Sequence, residues 1–160
     1  MSDCCASSEA KPNHYDVAVI GAGSAGFSAA ITAAEQGAQV ALIGRGTIGG
    51  TCVNVGCVPS KAMIRAVETL HQAKAASRFA GIEANARIDN WQALMAQKDD
   101  LISSLRQAKY MDILPSYNNV AYIEGAAELT EGGVRVDGDL IRADKVIIAT
   151  GSTAVAPDIA

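Results

Sequence analysis

Two short apolar runs flank an alanine-rich segment near the start of the chain. Residues 16–20 and 39–43 are aliphatic and rich in β-branched side chains, which is typical of strands buried on both faces of a parallel sheet. Residues 24–36 between them are mostly small and apolar, and Gly37 follows as a stop signal, so they predict a helix. The pattern predicts a strand–helix–strand unit of about 30 residues.

Two longer amphipathic segments follow and predict two more helices, over residues 58–77 and 90–111. The first begins with Pro59 in its first turn, which places Cys57 at its N-terminus. We expect residues 78–89 to form a loop between them. The apolar positions at helical spacing are Met63, Ile64, Val67 and Leu70 in the first segment, and Leu94, Leu101, Ile102 and Leu105 in the second.

Shorter alternating runs dominate the last third of the chain. Residues 120–123, 133–136 and 140–142 predict short strands, with a hairpin turn at Asp137-Gly138, and residues 145–151 predict a buried strand that ends in glycine. The whole pattern indicates an α/β fold of the Rossmann type: a parallel sheet with helices, plus a small antiparallel β-meander. Residues 1–14 are small and polar and predict a disordered tail.

Composition excludes some classes of protein. The 160 residues have the length of one domain, and a net charge of −4 without a Lys/Arg cluster argues against nucleic-acid binding. No apolar run approaches the ~20 residues that a membrane span needs, and the first residues contain no hydrophobic signal core. We therefore expect a cytoplasmic protein. In that reducing compartment, a cysteine pair is more often catalytic or metal-binding than structural.

A glycine turn joins the first strand to the first helix. In the sequence GAGSAG, Gly21 permits a tight turn, Gly23 lets the backbone approach a pyrophosphate, and Gly26 allows close packing of helix and strand. The N–H groups of Ser24 and Ala25 would then point toward phosphates at the helix N-terminus. Because a strand precedes the turn and a helix follows it, the motif predicts a dinucleotide site.

One part of that dinucleotide motif is missing. An acid is expected near the end of the second strand to hold a ribose hydroxyl, but Ile43 is followed by Gly44, Arg45 and Gly46. A backbone group or a water molecule could replace the acid, or Arg45 could face the phosphates. The sequence does not choose among these three.

Cys52 and Cys57 are separated by four residues and lie about 25 residues beyond the glycine turn. Two thiols held close by a glycine-containing loop can cycle between dithiol and disulfide while a cofactor exchanges two electrons. The alternatives are an inert buried pair or half of a zinc site. Zinc normally takes four N or S ligands, and only the adjacent Cys4 and Cys5 remain to complete such a set. The spacing therefore favours a redox pair.

The segment GGTCVNVGCVPSK at residues 49–61, together with the glycine turn, resembles the pyridine nucleotide-disulfide oxidoreductases. The resemblance runs from Tyr15 to the end and implies that residues 15–160 are the N-terminal part of an FAD-binding domain, without the NADPH and dimerisation domains. Residues 47–65 are most similar to the members that reduce Hg(II). Glutathione reductases and dihydrolipoamide dehydrogenases, which reduce organic disulfides, are the alternative.

The resemblance implies roles for individual residues. Cys57 would be the thiolate nearer the flavin, Cys52 the thiol that meets the substrate, and both would hold Hg(II) or an Hg–thiol complex. Lys61 would approach the reactive face of the flavin, although a solvated surface lysine is the alternative. Electrons would pass from NADPH through FAD to the disulfide, in a homodimeric full-length enzyme. The remaining residues expected along FAD are Gly46, Thr51, Gly125, Thr150 and Gly151.

Other titratable groups received weaker assignments. Cys4 and Cys5 are too close in sequence to favour an ordinary disulfide, so metal capture by this pair is a hypothesis, and an incidental pair in a tail is its alternative. His14 and His71 are expected to be solvated. Without a second nucleotide turn, the chain is expected to bind FAD weakly alone and to turn nothing over. A non-catalytic thiol module for soft metals is a third functional alternative.

Overall fold

The computed structural model describes residues 14–153 and 155–159, so Cys4, Cys5 and nearly all of the predicted tail lie outside the described residues. The six strands are β1 (His14–Ile20), β2 (Val40–Gly44), β3 (Val120–Glu124), β4 (Ala127–Thr130), β5 (Gly133–Val136) and β6 (Asp139–Ile148). The four α-helices are α1 (Ser24–Glu35), α2 (Gly50–Asn54), α3 (Cys57–Lys74) and α4 (Trp91–Arg106).

All six strands form one mixed sheet in the order β3-β2-β1-β6-β5-β4. The first four run parallel, and β5 and β4 complete the sheet as an antiparallel meander with β6. Val19 in β1 lies opposite Leu42 on one side and Ile147 on the other. The predicted fold class, a Rossmann-like α/β domain with a small meander, is therefore confirmed.

The core lies on both faces of the central strands because alternate side chains point to opposite sides. On one face Val19 and Leu42 pack with Phe27 and Ala30 of α1. On the other face Ile43 of β2 belongs to a second buried cluster that includes the meander valines. The complete burial of β2 fits its unbroken apolar sequence.

Helices α3 and α4 pack on each other and on α2, away from the sheet. The predicted start of α3 at Cys57 and the predicted apolar positions are present, but none of the 18 residues of α3 is buried. Ile64 is 55% exposed and Val67 is 54% exposed. In α4, Ile102 is buried and Leu101 is largely exposed. The amphipathic pattern therefore predicted the helices correctly, but it did not predict that much of their apolar surface would be exposed.

Helix ends differ from prediction by a few residues, with local causes. A 3₁₀ turn over Ala75–Arg78 replaces the last predicted turn of α3. Helix α4 begins one residue late, because Asn90 is its N-cap and accepts the Ala93 N–H through Oδ1 at 3.0 Å. Its predicted end at Met111 is reached only through one π-helical turn, Gln107–Met111. Helix α2 was not predicted.

Two predictions about strands were wrong, and a third was right but incomplete. His14 belongs to β1 rather than to a tail. Residues 120–123 form a strand as predicted, and its place in the parallel sheet beside β2 was not predicted, since strand length and composition do not specify a partner. Residues 140–142 and 145–148 form one strand, and its end is not buried: Ile148 is 62% exposed, because pairing with β5 stops at Arg142. The predicted hairpin at Asp137-Gly138 is confirmed, with positive φ at both residues.

Candidate functional site

The first glycine turn packs so closely that two of its positions exclude a side chain. Gly21 has a φ of +118°, and a Cβ there would overlap the carbonyl of Ala149, which follows β6. A Cβ on Gly26 would overlap the carbonyl of Gly21. Helix α1 can therefore begin directly against the end of β1 only with glycine at these two positions.

A second pair of glycines lies against the first turn. The N–H of Gly49 donates to the carbonyl of Ala22 at 2.8 Å. A Cβ on Gly50 would lie 2.8 Å from the Cα of Gly23, so the two loops meet backbone against backbone. No role was predicted for Gly50 or Ala22. The adjacent glycines before Thr51 were the only signal that could have indicated this contact.

The N-terminus of α1 points its unpaired backbone groups at the same place. Gly23 is the N-cap and no side chain caps the helix. The first intrahelical bond runs from the Phe27 N–H to the Gly23 carbonyl at 2.9 Å, which leaves the N–H groups of Ser24 and Ala25 without a helical partner. With no acidic residue in the first turn, this end of the helix suits an anion.

A cavity of 540 Å³ opens at the carboxyl ends of the parallel strands. Gly26 lies behind the turn, and Cys57 and Lys61 do not line the cavity, whereas Cys52 does. Arg45, for which a contact with the phosphates was one of the alternatives, also lines it, as does Ser152, for which no role was predicted. The predicted cofactor residues that the structure brings together around it are Gly21, Gly23, Ser24, Ala25, Gly46, Thr51, Gly125, Thr150 and Gly151.

The two cysteines lie on consecutive helices separated by a tight turn. Cys52 is in α2 and Cys57 is the first residue of α3, and both thiols are exposed and unoxidised. The turn is closed by the Gly56 N–H, which donates to the Thr51 carbonyl at 2.8 Å. Because Cys57 begins a helix, its thiol lies beside the positive end of the helix dipole.

Hydrogen bonding between the thiols raises the pKa of Cys52. The side chain of Cys57 is the principal cause, and partial desolvation and charge on Cys57 act in the same direction. The backbone of Cys57 and the ammonium of Lys61 act in the opposite direction but more weakly. Cys52 is therefore the thiol that retains its proton when the pair carries one negative charge.

Asn54 braces the loop that contains the two cysteines. Its Nδ2 donates to the carbonyls of Ile48 and Gly50 at 3.0 and 2.9 Å, and its Oδ1 accepts from Arg106 of α4 at 3.0 Å. A second link joins the π-helical turn after α4 to the start of α1, because the Tyr110 and Ser24 hydroxyls lie 3.1 Å apart. Neither brace was predicted, since the residues of each pair are far apart in sequence.

The described residues contain no arrangement that supports a zinc site or a role for the histidines in the site. Among residues 14–153 and 155–159, no group of three or more His, Cys, Asp or Glu side chains could hold a metal ion. His14 and His71 are exposed, as predicted, and His14 contacts Asp144 at 2.9 Å. In the same part of the chain, no helix is both long and apolar enough to cross a membrane.

Comparisons with known proteins agree with this geometry. A family model described as pyridine nucleotide-disulphide oxidoreductase matches residues 15–160. The chain is 45% identical over 148 residues to a mercuric reductase of Lysinibacillus sphaericus, covering 92% of the chain and 27% of the relative. It is 44% identical over 151 residues to a mercuric reductase of Streptomyces lividans, covering 91% of the chain and 32% of the relative.

A solved structure is also similar. The HOCl-induced flavoprotein disulfide reductase RclA from Escherichia coli superposes with a TM-score of 0.69 at 32% identity, covering 91% of this chain and 30% of that one. The chain thus spans about a third of the length of the proteins that it matches.

Proposed function

The chain belongs to the pyridine nucleotide-disulphide oxidoreductase family, and from that membership we propose that it is part of a flavoenzyme that reduces Hg(II) with electrons from NADPH. One observation carries the proposal: Cys52 lines the nucleotide cavity and lies close enough to Cys57 for that side chain to raise its pKa. The mercuric reductases at 44–45% identity support Hg(II) as the substrate.

The residues around the cavity fit FAD. Glycine is required at Gly21 and Gly50 by backbone contacts, and unpaired N–H groups of Ser24 and Ala25 are placed to receive a pyrophosphate. When bound, FAD would supply two-electron transfer between NADPH and the thiol pair. We propose Lys61 as a further neighbour of the flavin, on the basis of the family resemblance.

The cysteine pair would carry the substrate chemistry. Two electrons and two protons convert a Cys52–Cys57 disulfide into the dithiol. Binding of Hg(II) by both sulfurs would release the protons that the two thiols still carry, including the one on Cys52, whose pKa is raised by Cys57. Two soft thiolates suit this soft cation, and its reduction to the metal consumes two further electrons.

The decisive experiment measures NADPH oxidation by the protein made from its complete gene. Hg(II) with excess thiol is compared with oxidised glutathione and with lipoamide. We expect turnover with Hg(II) that is abolished by Cys52→Ala and by Cys57→Ala. The matched control is Cys4→Ala with Cys5→Ala, which should preserve the chemical step even if metal capture by that pair changes the dependence on Hg(II) concentration.

A second candidate function is reduction of an organic disulfide. The similarity to a flavoprotein disulfide reductase favours it, because the same dithiol can exchange with a disulfide. Turnover only with glutathione disulfide or lipoamide would select this function. A protein purified without flavin and inactive toward all three substrates would instead support a non-catalytic thiol module. We also propose a cytoplasmic homodimer, which size measurement and cell fractionation would test.

A further inference from the structure

Strand β2 ends without the acid that holds a ribose hydroxyl in this class of nucleotide site. The position is occupied by Gly44, and a Cβ built there would lie 2.7 Å from the Cβ of Ala22 and 2.9 Å from the hydroxyl of Tyr122. Both distances are shorter than ordinary van der Waals contact. No side chain therefore fits at residue 44 while Tyr122 holds its place.

The Tyr122 side chain leans toward the ligand-binding end of the sheet. Tyr122 lies opposite Leu42 in the register of β3 and β2, yet its hydroxyl reaches the level of Gly44, two residues further along. Ligands of open α/β sheets bind beyond the carboxyl ends of the strands, and Gly44 itself lines the cavity. The hydroxyl thus lies beside Gly44 at the rim of the cavity, while Tyr122 itself is not one of the residues that line it.

The hydroxyl of Tyr122 is available for a ligand. Among the described residues it makes no hydrogen bond, and it is not one of the polar side-chain atoms sealed from solvent without a partner. Burial of the ring raises the pKa of Tyr122, and the charge of Glu124 adds to the effect. The phenol therefore keeps its proton at neutral pH, and it can both donate and accept a hydrogen bond.

We propose that the Tyr122 hydroxyl takes the place of the missing carboxylate and hydrogen-bonds a hydroxyl of the adenosine ribose of FAD. Gly44 and Tyr122 form one unit in this proposal, since the absent side chain of the first makes room for the phenol of the second. The inference rests on the proposed function, because it requires FAD in the cavity. It identifies the group that replaces the missing acid.

Two neighbours are less suited to the role. Glu124 is the register partner of Gly44 and is the nearest acid on β3, but it is exposed and is not among the residues nearest to a Cβ built at Gly44. Arg45 lines the cavity but carries only donors and a positive charge, which suit phosphate better than a ribose hydroxyl. A Glu124→Gln variant separates the carboxylate from the phenol.

The test uses the flavin-free form of the protein made from its complete gene. Flavin fluorescence reports the dissociation constants of FAD and of its 2′-deoxyadenosine and 3′-deoxyadenosine analogues. We expect one analogue to bind the wild type roughly 3- to 10-fold more weakly than FAD, the loss typical of one hydrogen bond. Tyr122→Phe should weaken FAD by a similar factor and bind that analogue as well as it binds FAD.

Tyr117→Phe is the matched control, because it removes a phenol hydroxyl that bonds Glu35 away from the cavity. It should leave all three dissociation constants unchanged. The proposal is overturned if Tyr122→Phe still discriminates between FAD and the analogues as the wild type does, or if discrimination is lost in Glu124→Gln instead. Wild-type protein that binds no FAD would overturn the proposed function together with this inference, whereas the preceding outcomes leave that function intact.

Discussion

The strand–helix–strand unit of β1, α1 and β2 and the segment that carries the cysteines are built in opposite ways. We call the latter, residues 50–111, the redox arm. Every residue of β2 is buried, whereas no residue of α3 is. The strand–helix–strand unit, which we call the cradle, thus holds most of the buried core. The redox arm joins it through Val53 and Tyr110, which are buried in the same core, and through polar contacts such as the Tyr110–Ser24 pair.

The contrast follows from where each segment finds its apolar partners. Strands β1 and β2 have aliphatic side chains on both faces, and α1 and the meander cover them. Helix α3 has an apolar stripe. Within the described residues, α2, α4 and the 3₁₀ turn that follows α3 are the elements that pack against it most extensively, and Ile64 remains more than half exposed. The cofactor site is therefore shaped by well-buried strands, whereas the apolar side of α3, the helix that begins with Cys57, remains exposed.

The largest effect is expected where the cradle has no room. In Gly26→Ala the new methyl group would overlap the carbonyl oxygen of Gly21. The clash can be relieved only if the backbone of α1 moves away from the end of β1. We expect a loss of more than about 4 kcal/mol in the free energy of unfolding, measured by urea denaturation. Gly46→Ala is the control, because its φ of +77° adds strain of about 1–2 kcal/mol but nothing lies within 4 Å. Equal losses would contradict the packing argument.

A pair of identical substitutions compares the two regions directly. Ile43→Ala empties a fully buried position of β2 and should lower the free energy of unfolding by about 3 kcal/mol. Ile64→Ala, in the redox arm, should change it by less than about 0.5 kcal/mol. Chemical denaturation of the 160-residue chain provides both values. A large effect at Ile64 would show that something covers α3 in solution.

The contact between the two regions can be weakened without removing a ring. Tyr110→Phe deletes the hydroxyl that meets Ser24 but keeps the edge-to-face contact with Phe27, whose centroid lies 4.7 Å away. We expect a loss of about 1 kcal/mol in stability and weaker FAD binding, measured by urea denaturation and flavin fluorescence. Unchanged FAD binding with lowered stability would limit this hydroxyl to a structural role.

The smallest expected effect is electrostatic and lies within the redox arm. In Cys57→Ala, the hydrogen bond and charge that raise the pKa of Cys52 are absent, while the backbone N–H and Lys61 remain, so that pKa should fall. Cys52 should then react faster with iodoacetamide at pH values between the lowered and the original pKa. Above both values the difference should vanish. The assay needs Cys4→Ser and Cys5→Ser in both proteins, and an unchanged rate profile would contradict the assignment.

Local sequence patterns were sufficient to predict the cradle. The glycine spacing, the aliphatic runs and the alanine-rich helix are contained within about 30 residues, and each constrains the backbone by itself. The start of α3 at Cys57 and the turn at Asp137-Gly138 were predicted for the same reason. These features depend on near neighbours in the sequence.

Features that depend on distant neighbours could not be predicted in this way. The pairing of β3 with β2, the exposure of Ile148 and the brace between Asn54 and Arg106 each join segments that have no local signature of their partner. The sequence showed that an acid was missing at Gly44, but only the tertiary structure shows Tyr122 in that space. The predicted roles of Lys61 and of Cys4 and Cys5 stay predictions.

The position of β1 in the sheet also has a consequence for the order of folding. One neighbour of β1, strand β2, follows it closely in sequence, but the other is β6, near the opposite end of the chain. During synthesis, one edge of β1 stays unpaired until β6 has left the ribosome. Pairing between parallel strands that are far apart in sequence slows folding. Until β6 pairs with β1, the unpaired backbone groups of β1 can associate with other chains. Cells that produce this protein quickly would therefore gain from a chaperone that shields that edge.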